Sequence, residues 1–183
     1  MAEDIRGSNP DPRPIDNRRR AIISECRRQE ESCLYTSTTL YIWLRRVRRQ
    51  KQFFVAAPIV IGGFAGLSIL QEWGLEWVMA VLAIIASLFP ALADALKFET
   101  SVDEISRLAA EFKALQDRFR RTATITALGD LQAADDALAE LMDRMDVARS
   151  SSITPPESAF KEAQRKIAEG HYVFTVDQLP RAK

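Results

Sequence analysis

The sequence predicts an all-helical membrane protein, in which a long N-terminal helix leads into a two-span transmembrane hairpin and amphipathic cytoplasmic helices follow. Three observations support this fold class. Two apolar runs without an ionisable side chain, 52–71 and 77–93, stand on either side of a short polar turn. A dense group of basic residues precedes the first run. Beyond residue 94 the apolar residues recur three and four apart, a spacing that buries one helix face against another helix.

The first apolar run has the length that a membrane crossing requires. A hydrocarbon core of about 30 Å needs about 20 helical residues, within a range of about 17 to 25, and residues 53–70 fit that range. The second run, 77–93, lies at its lower edge. Lipid offers the backbone no hydrogen-bond partner, so both runs are expected to be helical, and 52–93 is predicted to be the transmembrane hairpin. The alternative is a buried helical hairpin in a soluble protein.

The residues around the two runs predict their orientation. Residues 1–52 contain 12 basic and 7 acidic side chains, whereas the loop 71–76 contains acidic side chains and no basic one. Lysine and arginine favour the cytoplasmic side of a membrane, so both termini are predicted to be cytoplasmic. Tryptophan favours the boundary with water. The residues assigned to the membrane interface are Arg45, Arg46, Arg48, Arg49, Lys51, Trp73 and Trp77.

The basic group also predicts a partner. Anionic lipid at the cytoplasmic surface attracts juxtamembrane cations by about 1 kcal/mol per residue. Binding of nucleic acid is the alternative interpretation of such a group. We interpret it as a contact with the lipid bilayer and expect no nucleic-acid partner, because the group directly precedes a predicted span.

The N-terminal part is predicted to be a tail followed by a helix. Residues 1–14 are polar and carry three prolines, which is typical of a disordered tail. A cytoplasmic juxtamembrane helix is predicted over 15–51, with Asp16 as its N-cap, and it continues into the first span, where Pro58 can kink it. Its apolar stripe is interrupted by Glu30 and Ser37. The stripe residues are Ile23, Cys26, Cys33, Leu40, Leu44 and Val47.

The two cysteines are not expected to pair within one chain. Cys26 and Cys33 are seven residues apart, which separates them by about 10.5 Å along a helix. That distance exceeds what a disulfide spans. A bridge between two copies is one alternative, and packing as small apolar residues is the other, which a reducing cytoplasm favours.

Glycines in the first span predict a close helix contact. Gly62 and Gly66 form a GxxxG pair, which lets a neighbouring helix approach closely in lipid. The neighbour is either a second copy of the chain or the second span of the same chain, and the sequence leaves both alternatives open.

Residues 94–183 are predicted to form a cytoplasmic helical region that ends in an extended tail. Gly129 interrupts the apolar periodicity and Asp130 can cap a new helix. The segment 154–157 resembles a capping box that starts a short helix, which should stop near Gly170. The alternating residues of 171–176 form either a docked extended segment or a loose tail. Two apolar stripes are predicted to pack helices or subunits here. The first includes Val102, Ile105, Leu108, Phe112, Leu115 and Phe119, and the second includes Leu131, Ala134, Leu138, Leu141 and Met145. The residues assigned to packing are Ile105, Phe112, Phe119 and Leu138.

The sequence offers little that points to an enzyme. His171 is the single histidine, and it follows a glycine that is expected to end a helix. Neither a zinc-ligand spacing nor a phosphate-binding glycine loop after a strand is present in the sequence. We therefore expect no catalytic residues, no cofactor and no metal, and a membrane enzyme is the least favoured class.

The order of these parts resembles a known family. The stretch 31–41, with Cys33, Tyr35 and Ser37, precedes a basic linker, two predicted spans and an amphipathic helical region. This arrangement, over about 15–176, is similar to the SLATT family, whose two-transmembrane effector domains are associated with SMODS nucleotidyltransferases and SLOG sensors in bacteria. The resemblance implies an inner-membrane effector of antiphage defence that oligomerises and permeabilises the membrane when a partner detects infection.

The same resemblance implies a trigger. Members of the family are thought to respond to a nucleotide second messenger made by a nucleotidyltransferase, or to a linked sensor. Arg118, Arg120 and Arg121 are candidate phosphate contacts by their charge alone, and an ordinary helix surface is the alternative. The alternative function for the whole chain is a non-conducting membrane anchor or scaffold that holds a soluble partner.

Overall fold

The computed structural model describes residues 14–65, 76–95, 98–151 and 153–172, and this part of the chain is helical without strands. The predicted all-helical class is confirmed. The predicted tail up to residue 13, the loop with Trp73, the second glycine of the GxxxG pair and the end of the chain from residue 173 lie outside the described residues. The helices are α1 (Pro14–Ala65), α2 (Glu76–Ala95), α3 (Phe98–Thr124), a 3-10 turn (Thr126–Leu128), α4 (Leu131–Ser150) and α5 (Glu157–Ala168).

Helix α1 is continuous over 52 residues, as predicted, and Pro58 lies inside it. It begins at Pro14, whose fixed φ and missing N–H suit a first helical position. The prediction that Asp16 is the N-cap was wrong, because Asp16 lies inside the first turn. Its carboxylate there still interacts favourably with the positive end of the helix dipole.

The buried stripe of α1 is longer and more polar than predicted. Ser37 was expected to interrupt it, but Ser37 is 2% exposed and belongs to it, as does Gln29. Near the start of the helix, Ile22 is buried and Ile23 is only half-buried. The positions follow one helix face at intervals of three and four residues. They are Cys26, Gln29, Cys33, Ser37, Leu40, Leu44 and Val47.

The chain divides into two compact units. The first comprises Met1–Leu34 and Phe112–Ser151. In it, Arg18 forms an ion pair with Asp135, and Arg19 donates to the carbonyl of Gly129 at 3.1 Å. These contacts hold the start of α1 against the turn and the start of α4.

Helix α4 in the first unit begins as predicted. The Asp130 carboxylate accepts from the Ala133 N–H at 3.0 Å, which is the expected cap. The core of the unit contains Phe119, which is fully buried, and Met145, which is 1% exposed. Leu138 was predicted to pack but is only half-buried. The fully buried face of α4 is formed by Ala134, Leu141, Met145 and Ala148.

The second unit comprises Tyr35–Glu111 and Ser152–Lys183. It contains α2 and the apolar part of α1. In it, Ile42 of α1 packs with Ala159 and Ala163 of α5, and Trp43 lies half-buried against this cluster. Two small alanines, both fully buried, allow α5 to approach α1 closely.

The ends of α5 differ in how well they were predicted. The capping box over 154–157 was wrong: Pro156 is the N-cap and makes no side-chain hydrogen bond. The stop at Gly170 was right, because this residue has a φ of 77°. Its N–H donates to Ile167 and that of His171 donates to Lys166, which together form a Schellman motif.

Candidate membrane interface

The last part of α1 has an exposed apolar surface. Four large apolar side chains within about two helical turns are more than half exposed: Phe53 (62%), Val55 (57%), Ile59 (71%) and Val60 (54%). A single exposed apolar residue is ordinary, but a contiguous apolar surface marks contact with a partner or with lipid. This part of α1 belongs to the first predicted span.

Helix α2 displays the same property over its whole length. The window Trp77–Ala95 has a mean hydropathy of 2.1, and none of it is buried. It is the one helix in the described chain that is long and apolar enough to cross a membrane. Its 20 residues give a length of about 30 Å, which matches a hydrocarbon core. The alternative of a soluble hairpin requires α2 to be buried, and none of this window is buried within the described chain.

The two apolar helices contact each other along one face. Phe54 of α1 and Phe89 of α2 have ring centroids 5.8 Å apart. The half-buried positions on each helix follow the same side as these rings, at intervals of three and four. They are Phe54, Ala57, Pro58 and Ile61 on α1, and Val78, Met79, Leu82, Ala86, Phe89 and Ala93 on α2.

Gly62 lies away from this shared face. It is exposed, and a Cβ added to it would meet no described atom within 4 Å. The same is true of Gly63. The sequence left two possible neighbours for the glycine face, a second copy of the chain or the second span of the same chain. The described part of α2 does not contact Gly62.

A belt of cations precedes the apolar surface on α1. Arg45, Arg48 and Arg49 are exposed, while Arg46 and Lys51 are half-buried. We call these five residues the basic belt. Trp77 is 69% exposed at the start of α2, where an amphipathic ring can lie at a water boundary.

The sequence did not reveal that one member of the belt binds another helix. Arg46 Nη1 donates to Ser158 Oγ at 2.6 Å, and Arg46 Nη2 donates to Glu162 Oε2 at 2.6 Å. Lys166 Nζ lies 3.1 Å from the other oxygen of Glu162. The hydrogen bond from Arg46, aided by the one from Lys166, lowers the pKa of Glu162 from its usual value. Arg46 therefore holds α5 against α1, and a cavity of about 100 Å³ lies beside the pair.

A larger groove lies where the basic belt meets the apolar surface. It has a volume of about 530 Å³. Helix α1 lines one end of the groove with cationic and amide side chains and the other end with apolar side chains. One residue of α3 also lines the groove. The lining residues are Arg48, Lys51, Gln52, Val55, Ala56 and Val102. Periodicity had marked Val102 only as a packing residue, and no sequence signal pointed to Gln52.

The three candidate phosphate contacts all lie on α3 within the first unit. Arg118 and Arg121 are exposed on α3, and Arg120 is half-buried. Arg120 Nε lies 4.0 Å from Glu30 Oε1, so this residue links α3 to α1 within the first unit. His171, which the sequence assigned to the surface, is exposed with its Nε2 3.3 Å from Glu169.

No protein family, curated protein or solved structure matches this chain at a significant level.

Proposed function

We propose that the protein is a membrane effector with two transmembrane helices and both termini in the cytoplasm of a bacterium, and that it permeabilises the inner membrane as an oligomer during antiphage defence. The observation that carries the proposal is the uncovered apolar window of α2. Leaving the ten exposed large apolar side chains of the two apolar runs in water would be costly, because each contributes about 1.5–3 kcal/mol when fully removed from water. Lipid supplies the missing apolar environment.

The contact between Phe54 and Phe89 supports a hairpin. Phe54 lies at the start of the first apolar run and Phe89 lies near the end of the second. Pairing the start of one run with the end of the next is what two antiparallel spans require. Together with the basic belt before the first run, this arrangement favours cytoplasmic termini.

Pore formation requires several copies of the chain, since two helices cannot enclose water. The open face at Gly62 supports such an assembly, because small residues allow helices to approach closely in lipid. The trigger that the family resemblance implies is a nucleotide second messenger, with Arg118, Arg120 and Arg121 as the candidate contacts for its phosphates.

The first experiment concerns location. After cell fractionation, the protein should remain in the membrane pellet through an alkaline carbonate wash, and reporters fused to its two termini should both be active in the cytoplasm. Recovery in the soluble fraction, or reporters on opposite sides, would refute the two-span arrangement.

The second experiment concerns permeability. Cells that overproduce the protein together with its trigger, or purified protein in vesicles, should admit or release a membrane-impermeant dye. Intact membranes, with the protein demonstrably inserted and triggered, would contradict a pore.

A non-conducting anchor is the second candidate, and one observation favours it. Ser87 is the hydroxyl residue of α2, and its Oγ donates to the Ile84 carbonyl of the same helix at 2.7 Å. It therefore needs no water or partner helix, whereas a wide pore usually presents polar groups to its lumen. An anchor would leave the membrane intact and retain a soluble partner in pull-down experiments.

A further inference from the structure

We propose that the small cavity between α1 and α5 binds a phosphate group, held by Arg45 and Arg49 of α1 with Lys166 of α5 as a third donor. The cavity lies within the second unit, to which this part of α1 and the whole of α5 belong. The site therefore does not depend on a membrane location of the protein. It also differs from the phosphate contacts that the family resemblance implies, because those lie on α3 in the first unit.

The cavity is lined by one face of each helix. On α1, the three lining arginines come three, four and seven residues after Ile42, a spacing that places all four on one side of the helix. On α5, Glu162 and Lys166 are four residues apart and also share a face. Ile42 packs with Ala159 and Ala163 of α5, and all three are buried. The charged side chains therefore surround a space beside a packed apolar contact, which holds the two helices together.

Charge favours an anion in this space. Four cations and one carboxylate line it, which gives the lining a net charge of +3. Glu162 already has its partners, since Arg46 donates to one of its oxygens at 2.6 Å and Lys166 lies 3.1 Å from the other. Arg45 and Arg49 are exposed, and neither side chain forms an ion pair or a hydrogen bond with a residue of the described chain. An anion in the cavity therefore gains two cations that no carboxylate neutralises.

The size of the cavity suits a single phosphate. A water molecule takes up about 30 Å³ of liquid. A space of about 100 Å³ therefore admits one compact group of a few heavy atoms, and the rest of a larger ligand must stay outside.

The donors around the cavity suit a phosphate as well. Arginine presents a planar fork of N–H groups that matches phosphate oxygens, and its hydrogen bonds to an anion are about twice as strong as neutral ones. Lys166 keeps its contact with Glu162, and an ammonium group has three N–H donors, so it can also donate to a second acceptor. A phosphate monoester carries a charge of about −1.5 to −2 at pH 7, which complements the lining better than a single carboxylate does.

Two kinds of molecule present a phosphate monoester, namely soluble esters and the lipid phosphatidic acid. The test uses the full chain in phosphate-free detergent solution. Glycerol 3-phosphate is titrated and followed by calorimetry, and phosphatidic acid is added to the micelles and counted by native mass spectrometry. At least one probe should saturate at one molecule per chain, with a dissociation constant below about 10 mM. Failure of both probes would overturn the site.

The affinities of the two probes identify the source of the phosphate. Tighter binding of phosphatidic acid, with no comparable binding of phosphatidylcholine, assigns the cavity to a lipid headgroup. Equal or tighter binding of glycerol 3-phosphate assigns it to a soluble ester.

The decisive variants are Arg49→Gln and its neighbour Arg48→Gln. Arg49→Gln should weaken binding about tenfold, the lower range for a hydrogen bond to a charged group. Arg48 is also an exposed arginine of the basic belt without an ion pair in the described chain, but it does not line the cavity. Its loss should weaken binding less than about threefold, the effect of a nearby charge in water. Equal losses would leave only general attraction to the belt and would overturn the site.

A second pair of variants tests the contribution of α5. Lys166→Gln should weaken binding by up to about fivefold, because this lysine shares its charge with Glu162. Lys161→Gln is the matched control, since Lys161 pairs with Glu157 of the same helix at 2.7 Å and lies outside the cavity. Circular dichroism confirms that both variants are folded. If folded Lys166→Gln binds as tightly as the unaltered chain, α5 takes no part and the two-helix site is refuted.

Two outcomes separate this site from the proposed function. A chain that binds phosphate but is recovered outside the membrane would refute the membrane effector and leave the site intact. A chain that resists carbonate extraction but binds neither probe would refute the site alone.

Discussion

Arg46 and Glu162 are 116 residues apart in the chain and 2.6 Å apart at their Nη2 and Oε2 atoms. The pair joins α1 to α5 next to the cluster of Ile42, Ala159 and Ala163. It places α5 directly on the part of α1 that carries the basic belt. The strength with which α5 docks should therefore depend on pH and on Glu162.

Glu162→Gln should lower the free energy of unfolding by about 1 kcal/mol at pH 7, the upper range for a partly exposed ion pair. The pKa of Glu162 is lowered in the folded state from about 4.5, so the unfolded state binds the proton more readily. The contribution of the pair is complete above about pH 4.5 and is lost as the pH falls through the folded pKa. Urea unfolding of the detergent-solubilised protein at several pH values measures this.

The control for that experiment is Glu140→Gln. Glu140 is 69% exposed and pairs with Arg144 of its own helix at 3.4 Å. Its loss should cost no more than about 0.5 kcal/mol. If both variants lose the same stability, or if the effect of Glu162→Gln persists at low pH, the pair does not hold α5.

Phe119→Ala should be among the most destabilising single changes in the first unit. The ring is fully buried, so its removal forfeits the transfer free energy and leaves a cavity, at a cost of about 3–5 kcal/mol. Phe160→Ala is the matched control, because Phe160 is 43% exposed and should cost about 1 kcal/mol. Thermal unfolding followed by circular dichroism compares the two, and similar melting temperatures would show that the α3 stripe is not core.

Cys26 and Cys33 should resist alkylation while the protein is folded. Both are fully buried, and burial raises the pKa of each thiol to about 11. At pH 8 roughly one thiol in a thousand is then ionised, and only the thiolate reacts. Mass spectrometry after iodoacetamide treatment should find both cysteines unmodified until denaturant is added.

An engineered cysteine provides the control for reactivity. Ser150→Cys adds an exposed thiol at the end of α4, and it should react in the folded protein. Rapid labelling of the native cysteines, or a disulfide-linked dimer on a non-reducing gel, would contradict their burial and revive the bridge between copies.

Gly62→Leu should abolish dye leakage if the chain forms a pore through its glycine face. The added side chain meets open space within the described chain, so the monomer should fold unchanged, whereas close approach of a second helix would be blocked. Gly63→Leu is the matched control, since it also meets open space but lies about 100° around the helix. Leakage that survives in both variants, or disappears in both, would exclude this face as the specific contact.

Local sequence patterns predicted the helices well. The continuity of α1 through the basic belt follows from the lack of a breaker other than Pro58, and the start of α4 follows from Gly129 and the Asp130 carboxylate. These features depend on residues within one or two turns of each other. The prediction of a capping box at the start of α5 was wrong, although the residue types fit the motif. The helix begins at Glu157, so the N-cap is Pro156, which has no side-chain group that can cap the helix.

The residues of the candidate site were predicted less completely. Periodicity identified the basic belt and the apolar runs, but it treated Arg46 as equivalent to Arg48 and placed Ser37 outside the stripe. A small hydroxyl residue fits a close helix contact as readily as an apolar one, so hydropathy alone cannot exclude it. The groove likewise needed Val102, a residue 46 positions beyond Ala56 in the chain.

By itself the sequence determined the helical class, the two apolar runs and the faces that individual helices bury, because periodicity and charge are properties of short segments. Only the tertiary structure decided which cation binds α5, which glycine faces open space and which side chains share a groove. Those relationships depend on the pairing of segments that are distant in the chain, and the spacing of residues within one helix carries no information about its partner.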